Sequence, residues 1–119
     1  YFVNNSLVPF SQINFVFNMD LMGTGSEGGM IVNGRVYESH FEKLTQINNQ
    51  NKYLPIIKKR GKAANSDHYW FSEKGVPSFF LYLMGGISAY HDVDDVSKTL
   101  PLTKYNESFR LIQSFVDEL

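Results

Sequence analysis

The 119-residue sequence contains no cysteine, which excludes a disulfide framework and every metal site built on thiolates. The chain also lacks an excess of either charge, because it has eleven basic and twelve acidic residues. The chain therefore lacks the basic surface that holds a nucleic-acid backbone. No apolar run approaches the roughly 20 residues that cross a bilayer. We expect neither nucleic acid as a partner nor a membrane span, and any metal ion must be held by histidine and carboxylate.

Apolar residues, in contrast, are plentiful. Hydrophobic residues make up 43% of the chain and aromatic residues 15%, which is enough to build the core of a single domain over residues 1–119. The chain begins at Tyr1 with no recognisable targeting segment, so we interpret it as an excised piece or a processed form. The compartment is left open; this start and the absence of cysteine slightly favour an extracellular or periplasmic location.

Strand-like segments are spread along the chain. An apolar period of two predicts a strand over residues 13–20, and a nearly continuous apolar run predicts a strand buried on both faces over 78–84. Shorter strands are expected at 30–32 and at 53–57, where a proline points to an edge position. The basic residues 58–62 are expected to form a solvated loop.

Helical patterns alternate with these strands. An apolar stripe predicts a helix over residues 36–48, and a short helix is expected over 68–74, ended by Gly75. A last stripe, expected to pack on the sheet, consists of Tyr105, Phe109, Ile112, Val116 and Leu119. The alternation predicts an α/β fold with a mostly parallel or mixed sheet and flanking helices.

Two polar groups lie where such a sheet binds ligands, at the carboxyl ends of its strands. Asp20 ends the first predicted strand, and Tyr90 and His91 follow the glycines after the buried strand. A carboxylate and an imidazole brought together there would suit zinc. A turn-forming aspartate and a structural histidine fit the same spacing, so it leaves both interpretations open.

Three segments carry polar residues in a recognisable order: residues 18–23 (Asn-Met-Asp-Leu-Met-Gly), residues 66–77 (Ser-Asp-His-Tyr-Trp-Phe-Ser-Glu-Lys-Gly-Val-Pro) and residues 90–95 (Tyr-His-Asp-Val-Asp-Asp). In that order they resemble the segments Asn-x-Asp-Met-hydrophobic-Gly, Ser-Asp-His-x-x-Phe-x-x-x-Gly-Ile-Pro and Tyr-His-Thr-x-x-Asp of one family. These are the zinc-dependent aminopeptidases, metallopeptidase family 28, which carry two co-catalytic zinc ions. Their order matches the family's order, and the resemblance implies part of a zinc-exopeptidase sandwich.

The resemblance assigns a role to each matching residue. It implies that Asp20 ligates one zinc ion and that His91 ligates the other. It implies that Tyr90 donates a hydrogen bond to the substrate carbonyl or to the developing oxyanion. Asp67 matches an acidic residue that supports the site or faces the substrate, with a helix N-cap as the rival interpretation. The substrate it implies is a peptide with a free amino terminus.

Two elements of the family site do not occur in this sequence. The chain contains neither a His-x-Asp segment, which supplies a ligand and the bridging carboxylate, nor a Glu-Glu pair, which supplies the general base and a further ligand. The resemblance therefore implies the C-terminal portion of a catalytic domain, inactive and weak in zinc binding by itself. Its exposed sheet edge would favour self-association.

Two other functions stay open from the sequence. A peptidase-like module that has lost its chemistry could serve in binding or assembly. A glutaminyl cyclase shares the same plan of metal ligands. The segments that precede Tyr1 in the gene would discriminate between an enzyme and a binding module.

Overall fold

The computed structural model describes residues 2–5, 7–86 and 96–119. Within these residues, four strands and three helices form, together with short 3-10 turns. The strands are β1 (Val16–Met19), β2 (Gly28–Val32), β3 (Ile57–Lys59) and β4 (Ser78–Met84). The helices are α1 (Glu38–Asn51), α2 (His68–Glu73) and α3 (Tyr105–Asp117), and the 3-10 turns are Phe2–Asn4, Phe10–Gln12 and Ser97–Thr99.

The strands form one sheet in the order β1-β4-β2-β3. β1 runs parallel to β4, and β2 runs parallel to β3, whereas β2 and β4 are antiparallel. The predicted α/β class with a mixed sheet and flanking helices is therefore confirmed. No helix among the described residues combines the length and the apolarity that a membrane span requires.

The strand β4 is the centre of the molecule, as its apolar sequence predicts. Its odd-numbered side chains Phe79, Leu81 and Leu83 are buried in the main core, which α1 and α3 cover on one face of the sheet. Phe80 points to the other face, where it stacks on His68 of α2. The sheet is thus packed between two helices on one side and one short helix on the other.

The stripe predicted for α1 is buried at Phe41, Leu44 and Ile47. The prediction that the apolar stripe of α3 packs on the sheet is wrong. α3 does pack on α1 and the core, but through Ser108, Leu111 and Phe115. The predicted stripe lies about a quarter-turn away and is largely exposed. Its exposed fractions are 56% for Tyr105, 62% for Phe109, 49% for Val116 and 47% for Leu119. The buried face includes the polar residue Ser108, so a search for apolar periodicity does not find it. Ser108 tolerates burial because its hydroxyl donates a hydrogen bond to the Lys104 carbonyl at 2.6 Å.

The short strand expected over residues 53–57 is also displaced. β3 begins at Ile57, so Lys58 and Lys59 belong to a strand rather than to a solvated loop. β3 pairs only with β2 in the described sheet, and its lysines are exposed. Lysine on an edge strand discourages pairing with a further strand, which explains a basic sequence at this position.

Candidate functional site

Asp20 lies directly after β1, at the carboxyl end of the strand. Its backbone N–H donates to the Leu81 carbonyl at 3.2 Å, which extends the pairing with β4 by one residue. Its side-chain Oδ1 accepts a hydrogen bond of 2.8 Å from the N–H of Leu21, which has a left-handed φ of 53°. This turn holds the carboxylate at the surface, and Oδ2 accepts no hydrogen bond from the described residues.

A hydrogen bond joins the first two predicted site segments. The side-chain amide of Asn18, on β1, donates to Oγ of Ser66 at 2.6 Å. The two residues are 48 positions apart in the sequence, so the bond brings the loop before α2 to the end of β1. Sequence reasoning missed this pair; the signal available was a polar amide inside an otherwise apolar strand.

Asp67 follows Ser66 and is exposed. It precedes α2 with helical dihedral angles, φ −60° and ψ −28°, and its side chain makes no capping hydrogen bond. Only its backbone carbonyl serves the helix, by accepting the N–H of Trp70 at 3.3 Å. The Asp67 carboxylate therefore does not cap α2, and it lies near the Asn18–Ser66 contact.

Tyr90 and His91 lie outside the described residues, so the pairing of Asp20 with His91 stays a prediction. The strands that precede Asp20 and His91 are nevertheless parallel neighbours, because Met19 of β1 lies opposite Leu81 of β4. Their carboxyl ends therefore point to the same edge of the sheet. The chain leaves β4 there through two glycines at 85–86, with φ of 92° and 88°.

A complete metal site is not assembled within the described parts of the chain. No group of three or more His, Asp or Glu side chains lies close enough there to hold an ion. An open cavity of about 470 Å³ lies elsewhere, between α1 and β3, lined by residues that include Phe41, Gln46 and Lys59. It contains none of the predicted site residues, so its shape does not contribute to the site.

His68, the first residue of α2, is fully buried and stacks on Phe80 with a centroid distance of 5.5 Å. Its backbone carbonyl accepts a hydrogen bond of 2.9 Å from Oγ of Ser78, which ties α2 to β4. Neither ring nitrogen has a hydrogen-bond partner of good geometry among the described residues. Burial lowers the pKa of His68, and the backbone of Ala63 and the carboxylate of Asp67 oppose that shift without cancelling it. The imidazole is therefore neutral at neutral pH and anchors the loop that carries Asp67.

We expect the protonation of His68 to weaken the fold at acidic pH. Since its pKa is lower in the folded protein, the unfolded chain takes up a proton first as the pH falls below about 6.5. The free energy of unfolding should then decrease by up to about 1.4 kcal/mol per pH unit until the folded-state pKa is passed. Urea unfolding between pH 7.5 and pH 5 measures this dependence.

The variant His68→Gln is the comparison for that measurement. It should show a shallower pH dependence, and the slope that remains includes His40, whose pKa is also lowered by burial and by Lys43. Equal slopes in the wild-type protein and the variant would contradict the assignment of a neutral, buried His68.

The contact between Asn18 and Ser66 should appear as a coupling energy. In a double-mutant cycle with Asn18→Ala and Ser66→Ala, we expect about 0.5–1.5 kcal/mol of interaction in the free energy of unfolding. Ser72, whose hydroxyl lies 2.9 Å from that of Tyr37, offers a matched control on α2. Asn18→Ala and Ser72→Ala should be additive, and an additive result for Ser66 as well would refute the contact.

The chain matches the family model described as "Peptidase family M28" over residues 1–116. A comparison with curated proteins gives no match. The matched range includes Asp20, the Ser66-Asp67 loop and the whole of the described sheet.

Proposed function

The chain belongs to peptidase family M28, and from that premise we propose that it forms the C-terminal portion of the catalytic domain of a zinc aminopeptidase. The observation that carries the proposal is the position of Asp20. Its carboxylate is held at the carboxyl end of β1 with Oδ2 unengaged among the described residues, beside the loop that carries Asp67. This is the edge of the sheet where an α/β fold binds its ligand.

The donor set fits a zinc ion in chemical type. Asp20 would hold one ion through its unengaged oxygen, and His91 would hold the second through a ring nitrogen, since zinc accepts both carboxylate oxygen and imidazole nitrogen. When bound, zinc supplies a polarised carbonyl and a more acidic attacking water. Tyr90 would donate its phenol proton in a hydrogen bond to the substrate carbonyl oxygen.

The supporting residues of this chain orient the ligands rather than bind metal. The bond between Asn18 and Ser66 holds the loop before α2 against β1. The buried His68 anchors the same loop to β4, which holds the backbone of Asp67 in place at the edge of the site. From there, its carboxylate would accept a hydrogen bond from a ligand histidine or from the amino terminus of the substrate.

A working site needs further groups. Catalytic zinc usually has three protein ligands, and this sequence contains no His-x-Asp and no Glu-Glu pair. We propose that both segments belong to polypeptide outside these 119 residues and that the 119-residue chain alone is inactive. The substrate would be a peptide with a free amino terminus.

The test compares two proteins: the 119-residue chain and a longer polypeptide that adds the gene sequence preceding Tyr1. The longer protein should contain about two zinc ions and should hydrolyse aminoacyl-nitroanilides, with loss of turnover after chelation. An N-acetylated nitroanilide serves as the matched control and should resist hydrolysis, because it has no free amine. A longer protein without zinc and without turnover would refute the proposed function, and chelator-sensitive turnover by the 119-residue chain would refute the need for added segments.

A further inference from the structure

The asparagine that follows β2, Asn33, is a buried polar residue at a turn. The residue is fully buried, and its φ of 67° lies in the left-handed region. Glycine adopts this conformation without strain and would bury no side-chain amide there. Burial of an amide is costly unless the amide forms hydrogen bonds, so the turn alone does not account for an asparagine at this position.

The hydrogen bonds of Asn33 lead to both ends of one segment, directly at one end and through Ser78 at the other. The Asn33 N–H donates to the Gly61 carbonyl at 3.3 Å. Its side-chain Nδ2 donates to the Ser78 carbonyl at 3.2 Å, and Oγ of Ser78 donates to the His68 carbonyl at 2.9 Å. The first and the last of these acceptors begin and end the segment 61–68. Two buried residues thus hold the two ends of this segment.

Asp67 lies inside the segment, where other attachments are few. Residues 62–65 form no backbone–backbone hydrogen bond with another described residue. The ion pair between Lys62 and Glu73 is exposed to solvent, so it contributes little. The bond between Ser66 and β1 holds one further point. The position of Asp67 therefore depends largely on how the ends of the segment are fixed.

The Asn33 side chain continues the pairing between β2 and β4 beyond the end of β2. The backbone register of the two strands ends with Val32 opposite Phe80, so Ser78 lies past the last pair. Oδ1 of Asn33 has no hydrogen-bond partner within the described parts of the chain, and the side chain bonds there through Nδ2 to Ser78. This bond joins the residue that holds one end of the segment to the residue that holds the other. It therefore keeps the two attachment points at a fixed separation.

We propose that Asn33 is a positioning residue for the candidate site: together with Ser78, it fixes the segment 61–68 and hence the place from which Asp67 presents its carboxylate. The effect on catalysis rests on the function proposed above, in which Asp67 accepts a hydrogen bond from a ligand histidine or from the substrate. The attachment of the segment does not rest on that function, and it can be measured on the 119-residue chain.

Amide hydrogen exchange of the 119-residue chain, followed by NMR, tests the attachment. Asn33→Gly keeps the N–H that bonds to Gly61 and tolerates the left-handed φ, but it removes the side-chain amide. The reporters are the amides of Tyr69 and Trp70, which donate to carbonyls of the segment at 3.2 Å and 3.3 Å. We expect both to exchange at least about 5-fold faster in the variant, the factor that corresponds to one hydrogen bond of average strength.

Asn48→Ala is the matched control. Asn48 is also a buried asparagine, but its side chain bonds to the backbone of Leu54, far from the segment in sequence. The amides of Tyr69 and Trp70 lie in the first turn of a short helix and open locally, so Asn48→Ala should leave their exchange rates unchanged.

Ser78→Ala is a second variant, which decides the question if Asn33→Gly does not fold. It removes the donor to the His68 carbonyl and should accelerate the exchange of the same two amides. Wild-type exchange rates in every folded variant of Asn33 and Ser78 would overturn the proposal. Equal acceleration in Asn48→Ala would overturn it as well, because the effect would then not be specific to this attachment.

A kinetic double-mutant cycle in the longer polypeptide tests the role at the site. Asn33→Gly should lower kcat/KM for an aminoacyl-nitroanilide at least about 5-fold, and it should have no further effect in the Asp67→Asn background. The same loss in both backgrounds would show that Asn33 acts on general stability and not through Asp67, which would overturn the positioning role. A longer polypeptide without turnover would refute the proposed function instead, while the exchange rates still decide whether Asn33 holds the segment.

Discussion

Replacement of Phe115 by alanine should lower the free energy of unfolding by about 3–5 kcal/mol. The Phe115 side chain is fully buried, and its ring lies 5.3 Å from that of Phe15, 5.7 Å from that of Phe17 and 6.0 Å from that of Phe79. Truncation would leave a cavity where α3 meets β1 and β4. Such a loss is a large fraction of the stability of a small domain, so the variant should unfold at much lower urea concentration.

The matched control is Phe109→Ala, on the same helix. Phe109 is 62% exposed, so its truncation should change the free energy of unfolding by less than about 0.5 kcal/mol when measured on dilute, monomeric protein. Urea unfolding followed by circular dichroism gives both values. Equal costs for Phe115→Ala and Phe109→Ala, or a larger cost for Phe109→Ala, would show that α3 is turned the other way.

This pair of variants isolates the point at which sequence reasoning failed. Two stripes overlap on α3, and the one with unbroken apolar spacing is the exposed one. The buried stripe contains Ser108, which satisfies its own hydroxyl within the helix and so enters the core at little cost. Periodicity measures apolar character alone, and therefore it cannot choose between two faces when the packed face contains a serine and the exposed face contains aromatic residues.

Elsewhere the local pattern was sufficient. β4 is found at the predicted residues 78–84, because a continuous apolar run bounded by proline and glycine has few other solutions. Gly75 ends α2 as expected: its φ is 80°, and the N–H of Val76 returns to the Phe71 carbonyl at 3.1 Å. The position of β3 was predicted wrongly because its lysines favour a loop when only the local pattern is considered. Pairing with β2 determines which residues form the strand.

In the candidate site, too, local sequence patterns predict some positions but not the contacts between separate elements. The position of Asp20 could be predicted, since it is the first polar residue after a strand whose end is visible in the sequence. The contact between Asn18 and Ser66 could not, because it depends on how α2 docks against β1. The burial of His68 likewise arises from its stacking on Phe80, a contact between elements that local patterns do not encode.

The largest effect on activity is expected from Asp20→Asn in the longer polypeptide proposed above. The amide keeps an oxygen for the hydrogen bond from Leu21 but loses the negative charge that would bind zinc. We expect kcat/KM for an aminoacyl-nitroanilide to fall by at least about 10³-fold, since metal ions contribute several kcal/mol to stabilising a transition state of this kind. The zinc content should fall in parallel, while the exposed position of Asp20 predicts little change in the free energy of unfolding.

Two further variants serve as comparisons for Asp20→Asn. Asp67→Asn should cost about 10- to 100-fold in kcat/KM, because a residue that orients a ligand contributes less than the ligand itself. Glu42→Gln removes an exposed carboxylate of α1 and should leave kcat/KM and zinc content unchanged. If Asp20→Asn retains both zinc ions and wild-type turnover, then the carboxylate at the end of β1 is not a ligand. The site would in that case have to be assembled at another edge of the sheet, even though the chain belongs to a peptidase family.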